Sequence, residues 1–208
     1  MGLQPEKQQT ILKAAFAEFA EHGYKNASTN RIVEAAGIGK GMLFYYFNSK
    51  QELFEFLADY GMTFISEHYL PQLSGDGGAG FIETLQKASR IKMEAYLKYP
   101  HLFNFFSALM SESNIKHLPD QLRRRVEDLQ SLGTRRLVSN VDMSMFREDI
   151  PPEAAMQYAQ WLIDGYLKKI TDTFSGTNYA QDAVLAMWDD YDVFLEHVKA
   201  MLYVKKKG

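Results

Sequence analysis

Cysteine is absent from this chain. That excludes a disulfide framework, a cysteine-ligated zinc site and a thiol nucleophile. No apolar run is long enough to span a bilayer, and the first residues carry no signal-peptide pattern. A cytoplasmic protein with no membrane partner is therefore expected. Histidine is scarce, at five residues: His22, His68, His101, His117 and His197. No two of them have metal-ligand spacing on a helix, and none lies beside a Ser/Asp set or a glutamate pair. No catalytic residue, metal or cofactor is expected. No internal repeat is visible, and no segment requires a strand.

What remains is an ordinary globular composition, 46% hydrophobic and 24% charged, in 208 residues. The net charge of -3 argues weakly against nucleic acid as a partner. Its distribution argues the other way. Residues 1–50 hold six Lys/Arg against four acids, and the remainder holds 17 basic residues against 22 acidic ones. A mildly basic head on an acidic body is the asymmetry expected when only the head meets phosphates.

The stretch from Thr29 to Lys50, TNRIVEAAGIGKGMLFYYFNSK, organises the rest. It predicts a helix from about Thr29 to Ala36, with Ile32, Val33 and Ala36 inward. Gly37-Ile38-Gly39 is a break. A second helix from about Lys40 to Phe47 carries Leu43 and Phe47 inward. Two short helices around a glycine turn form the helix-turn-helix unit, whose second helix can enter the major groove of DNA. That helix turns Lys40, Gly41, Met42, Phe44, Tyr45 and Tyr46 outward: one cation, one glycine and aromatics with hydroxyls, which suit a phosphate-lined surface. The competing reading is plain core, since an aromatic cluster is common there. Before this unit lies a helix from Gln4 to His22, ended by Gly23, with Tyr24 folded back as an apolar anchor. Ser28 is the expected N-cap of the next helix. After the unit, Ser49 is an N-cap with Glu52 as its capping-box partner.

In this order the chain resembles the N-terminal domain of TetR-type transcriptional regulators. The resemblance rests on Phe19, Gly23, Ser28, Ile32, Ala36, Gly37, Lys40, Gly41, Leu43, Tyr46, Phe47, Lys50 and Leu53. Gly39 and Phe44 depart from it, standing where serine and tyrosine are usual. The resemblance implies an all-α fold: a helix-turn-helix DNA-binding domain over residues 1–50 and a helical ligand-binding and dimerisation domain over 51–208. Residues 51–70 would form the connector.

Beyond the head, periodicity predicts helices over Gln51–Tyr69, Phe81–Lys98, His101–Met110, Leu118–Val141, Glu153–Phe174 and Tyr179–Tyr203. Gly61 is expected to weaken the middle of the first. Pro71 to Gly80 is a flexible break, and Ser175 to Asn178 a short turn. The Arg123-Arg124-Arg125 run is read as a solvated face. The last two helices are apolar on more than one side and so need cover on more than one side. A second subunit would supply it; burial at the centre of a monomer is the alternative.

The expected function is a DNA-binding repressor, a homodimer on a palindromic double-stranded operator, released by a hydrophobic small-molecule inducer. Ser28, Thr29, Tyr45, Tyr46 and Lys50 are expected to hold phosphates, while Gly39, Lys40, Gly41 and Met42 approach base edges. The resemblance implies an inducer cavity in the second half, lined by Tyr96, Phe103, Phe106, Met110, Phe146, Tyr158 and Trp161. The alternative is a helical protein-binding scaffold without DNA specificity.

Overall fold

A computed structural model describes residues 5–73, 78–139, 141–174 and 181–204. Its helices are α1 Pro5–Asn26, α2 Thr29–Ala35, α3 Lys40–Tyr46, α4 Lys50–Phe64 and α5 Phe81–Lys98, followed by α6 Pro100–Leu109, α7 Glu112–Ile115, α8 Asp120–Val138, α9 Pro152–Phe174 and α10 Gln181–Leu202. The fold is all-α. The described residues contain no strand, only an isolated bridge between Phe146 and Tyr203. No helix among them is long and apolar enough to cross a membrane. The expected turn at Ser175 to Asn178 and the centre of the Pro71 to Gly80 break lie outside the described residues.

The chain forms two compact units. The first comprises Met1–Tyr69 with Ala95–Ser131, the second Leu70–Glu94 with Leu132–Gly208. In the first unit α1 presents Ile11, Ala15 and Phe19 inward, one helical turn apart. Ile32 of α2 and Leu43 of α3 complete the base of this core, and Leu53, Phe54 and Leu57 continue it along α4. Phe105 of α6 enters the same cluster, 5.1 Å from Phe16 and 5.7 Å from Phe54, edge-on to both. Edge-to-face aromatic pairs add to the area they bury. The core under the helix-turn-helix therefore includes side chains more than fifty residues downstream.

Gly61, a poor helix former within α4, also makes a close contact. A Cβ at this position would run into the edge of the Phe106 ring, with a second ring atom 3.1 Å away. Gly61 thus lets the Phe106 ring of α6 lie directly against α4. Gly61→Ala should gain about 1 kcal/mol of helix propensity and lose about 1–3 kcal/mol to overpacking against a ring that cannot bend aside. The net expectation is a lower melting temperature, partly restored by Phe106→Leu. A higher melting temperature for the single variant would restore the soft-point reading.

α4 also ends earlier than its apolar pattern suggested. It is α-helical only to Phe64, then widens into a π turn over Ile65–Tyr69 and tightens into a 3-10 turn over Leu70–Leu73. Periodicity sees a continuous apolar stripe and does not register the extra residue that a π turn accommodates.

In the second unit Ala155, Ala159 and Ile163 of α9 share a core with Tyr191, Leu195 and Val198 of α10. Tyr166 stacks on Phe194 with centroids 4.2 Å apart. The end of α10 is tied to the start of α5. The Tyr203 hydroxyl accepts from the Ile82 N–H at 2.9 Å and donates to the Glu83 carboxylate at 2.9 Å, and Lys199 pairs with Glu83 at 2.8 Å.

Candidate nucleic-acid interface

The sequence builds the turn between α2 and α3 from one left-handed residue. Gly37 has φ +63°, which a side chain would oppose. The Ile38 N–H closes back on the Val33 carbonyl at 3.0 Å. Gly39 is the N-cap of α3, in extended conformation. Leu43 and Phe47 are buried against the first unit's core, which fixes the rotation of α3 and turns its other face outward.

That outward face carries Gly39, Lys40, Gly41 and Tyr45 exposed, with Met42, Phe44 and Tyr46 half-buried. Tyr45 is 81% exposed and stands edge-on to Tyr46 at 5.0 Å. The Lys40 ammonium lies 5.9 Å from the Phe44 ring centroid. A Cβ built at Gly39 or Gly41 would meet nothing within 4 Å. The fold therefore does not need glycine at either position. An exposed helix that carries its poorest former but proline, with no internal reason, fits a surface kept low for something outside the chain.

Ser28 and Thr29 lie at the start of α2, both half-buried. Ser28 is the N-cap by position, but its side chain makes no capping bond. Its backbone N–H instead donates to Glu18 of α1 at 2.7 Å. The same carboxylate takes Arg31 Nε at 3.0 Å and Nη2 at 2.5 Å. Burial raises the Glu18 pKa, but the bonds from Arg31 and Ser28 outweigh it, so the carboxyl sits below its ordinary value of 4.5. A depressed carboxylate contributes stability above the unfolded-state pKa and loses it as pH falls through the folded one. Glu18→Gln keeps an acceptor for Ser28 but gives up the charge. It is expected to flatten the acid limb of the stability curve below pH 4.5; an unchanged limb in urea titrations would show that this clasp contributes nothing.

Lys50 was expected to hold a phosphate. Its ammonium instead donates to the carbonyls of Tyr24 at 2.8 Å, Lys25 at 3.2 Å and Ala27 at 3.1 Å. An ammonium has three donors, and all three are used inside the chain. The capping box at α4 is also shifted by one residue. Ser49 accepts from the Glu52 N–H at 3.1 Å, but the Glu52 carboxylate accepts from the Asn48 N–H at 3.0 Å, not from Ser49.

The seven residues expected to line a cavity fall in both units. Phe106 is buried against Gly61; Phe103 stands edge-on to Tyr69 at 5.9 Å; Tyr96 and Met110 are half-buried. In the second unit Phe146 packs edge-on to Tyr203 at 5.3 Å. Tyr158 and Trp161 are on its surface, Trp161 being 62% exposed. Asn114, which accepts from the Tyr24 N–H, carries no local signal in the sequence, standing last in the polar run from Ser111 to Asn114.

A family profile described as "Bacterial regulatory proteins, tetR family" matches residues 11–57. These residues span the α1–α4 geometry described above. The chain is 28% identical over 167 residues to the HTH-type transcriptional repressor AcnR of Corynebacterium efficiens, covering 78% of this chain and 80% of that protein. It is 26% identical over 201 residues to the HTH-type transcriptional regulator BetI of Yersinia pestis, covering 92% and 93%. Among solved structures, the fold is similar to the TetR family regulator PfmR of Thermus thermophilus, with TM-score 0.61, 17% identity and coverage of 91% and 97%. It is also similar to a TetR family regulator of Chloroflexus aurantiacus, with TM-score 0.62, 17% identity and coverage of 98% and 96%. With the tetR profile lying on the helix-turn-helix, and the likeness to HTH-type transcriptional regulators and to the TetR fold extending over most of the chain, this protein is a DNA-binding transcriptional regulator similar to those of the TetR family.

Proposed function

We propose that this regulator is a homodimeric repressor that binds a palindromic operator and leaves it when a hydrophobic small molecule binds. Residues 1–50 act as the DNA-binding head, 51–70 as connector, and the rest as the ligand-binding and dimerisation body. The observation that carries the reading is the outward face of α3, with two glycines the fold does not require and an exposed tyrosine. Gly39, Lys40, Gly41 and Met42 approach base edges in the major groove. Ser28, Thr29, Tyr45 and Tyr46 hold the phosphates on either side. Lys50 shapes the loop that presents Ser28. The repressor direction follows the name of the AcnR relative.

The apolar residues that α9 exposes, Tyr158, Trp161 and Leu162, support a second copy as their cover. The half-buried Tyr96, Phe103 and Met110 support an adaptable apolar lining for the inducer.

Selection of bound duplexes from a random pool tests the reading. A palindromic winner is expected, because two-fold protein symmetry is mirrored in the site. Its affinity should fall steeply with salt, as counterions are released on binding. No enrichment, together with no salt-dependent duplex binding, would favour the protein-binding scaffold instead. For the inducer, a panel of hydrophobic compounds is expected to include some that release the selected duplex.

A further inference from the structure

α1 is interrupted before it ends. Gly23, with φ +66° and ψ 173°, breaks the helix, and its last turn is a separate piece leading through Ala27 to Ser28. A helix break leaves backbone donors and acceptors without their usual partners. Two side chains from elsewhere in the first unit take them up. On the donor side, Asn114 Oδ1 accepts from the Tyr24 N–H at 2.9 Å. On the acceptor side, the Lys50 ammonium takes the carbonyls of Tyr24, Lys25 and Ala27. The turn is suspended between them.

Asn114 is buried and uses both ends of its amide. Its Nδ2 donates to the Ala108 carbonyl at 2.9 Å, at the end of α6. It also leaves no room for another residue at position 23: a Cβ there would lie 2.9 Å from Oδ1. Around the same turn the Tyr24 ring lies 4.2 Å from the His117 ring, and Gln51 Nε2 donates to the His117 carbonyl at 2.7 Å. One small planar group must supply an acceptor towards Tyr24 and a donor towards Ala108. Asparagine does both; aspartate would set a carboxylate against the Ala108 carbonyl, and alanine would leave the Tyr24 N–H without its acceptor and cut the tie to Ala108, whose carbonyl would keep its bonds from the Ser111 N–H and hydroxyl.

We propose that Asn114 is a positioning residue for DNA binding. It ties the end of α6 to the turn that delivers the N-terminus of α2, and so sets the angle at which the helix-turn-helix leaves α1. The proposal rests on the chain being a DNA-binding regulator. It adds a residue more than sixty positions beyond the head.

The test uses the full-length chain and a duplex it has selected. Asn114→Ala is expected to speed Tyr24 amide exchange and to weaken the selected duplex, each by about tenfold. The salt dependence should not change, because no phosphate contact is lost. Asn114→Asp retains the acceptor and should keep Tyr24 protected better than alanine does. Lys50→Ala combined with Asn114→Ala should weaken binding by less than the product of the single effects, since both hold one turn. If Asn114→Ala fails to fold, the aspartate variant, which loses the donor towards Ala108, carries the same comparison. Unchanged duplex affinity in a folded Asn114 variant would overturn the proposal, as would multiplicative effects in the double variant. A wild type that selects no duplex would overturn the DNA-binding reading itself, which separates the two failures.

Discussion

Gly41→Val is expected to abolish recognition of the operator while leaving the fold intact. Gly41 is exposed in the first turn of α3, and a Cβ there meets no atom of the chain within 4 Å. Valine is a better helix former than glycine by a few tenths of a kcal/mol, so the melting temperature should hold or rise slightly. The binding consequence is opposite in sign. In the proposed complex the backbone at Gly41 lies against base edges, and the added isopropyl group would hold α3 out of the groove. Losing direct readout returns a DNA-binding protein towards its non-specific affinity, a drop of about a thousandfold or more. Binding to random duplex should persist with its salt dependence unchanged, because no charge is removed. Fluorescence anisotropy with the selected and a scrambled duplex measures both numbers. Tight operator binding by Gly41→Val would show that α3 does not meet the bases at this point.

The helix-turn-helix was legible because its cues are local. Glycine at 37, the apolar pair Leu43 and Phe47, and the N-cap at Ser49 are each set within a few residues. What the sequence hid depends on distance along the chain. Gly61 reads as a weak point in a helix until Phe106, 45 residues on, is seen against it. Lys50 reads as a phosphate ligand until its three donors are found on the end of α1. Phe105 belongs to an apolar segment with no stated destination, yet it closes the core beneath the head. Tyr158 and Trp161 illustrate a different gap. Composition marks them as aromatic in an apolar helix, and it cannot separate a cavity wall from an outer face. Burial separates them: Ala155, Ala159 and Ile163 occupy the inward stripe of α9, and Tyr158 and Trp161 lie on its exposed side.

Trp161→Glu is expected to convert the protein to monomers and to cost most of its operator affinity. On α9, Tyr158, Trp161 and Leu162 are exposed and share one face, at spacings of three and four residues. On α10, Val193 is 56% exposed and Met201 49%. Both helices thus carry large apolar side chains on the outside of a unit whose inside is already filled. A buried tryptophan is the commonest type of interface anchor, and its truncation costs about 2 kcal/mol or more; a carboxylate in the same place adds the cost of desolvating a charge. The position matters. Phe194 is the more obvious residue on α10, but it is half-buried and stacked on Tyr166 of its own unit, so Phe194→Glu should destabilise the fold as well as any interface. Trp161→Glu should keep the helical content and thermal transition of a folded chain while sedimenting at half the mass. Two linked heads gain about 10²–10⁴ in avidity over one, so the monomer should bind the operator weaker by that factor and bind a single half-site unchanged. Fluorescence gives an independent reading: in a Trp188→Phe chain, where Trp161 is the one tryptophan left, emission should move to the blue as concentration rises through the dimer dissociation range. A wild type that sediments as a monomer, or a Trp161→Glu variant that remains a dimer at full operator affinity, would remove this face from the interface.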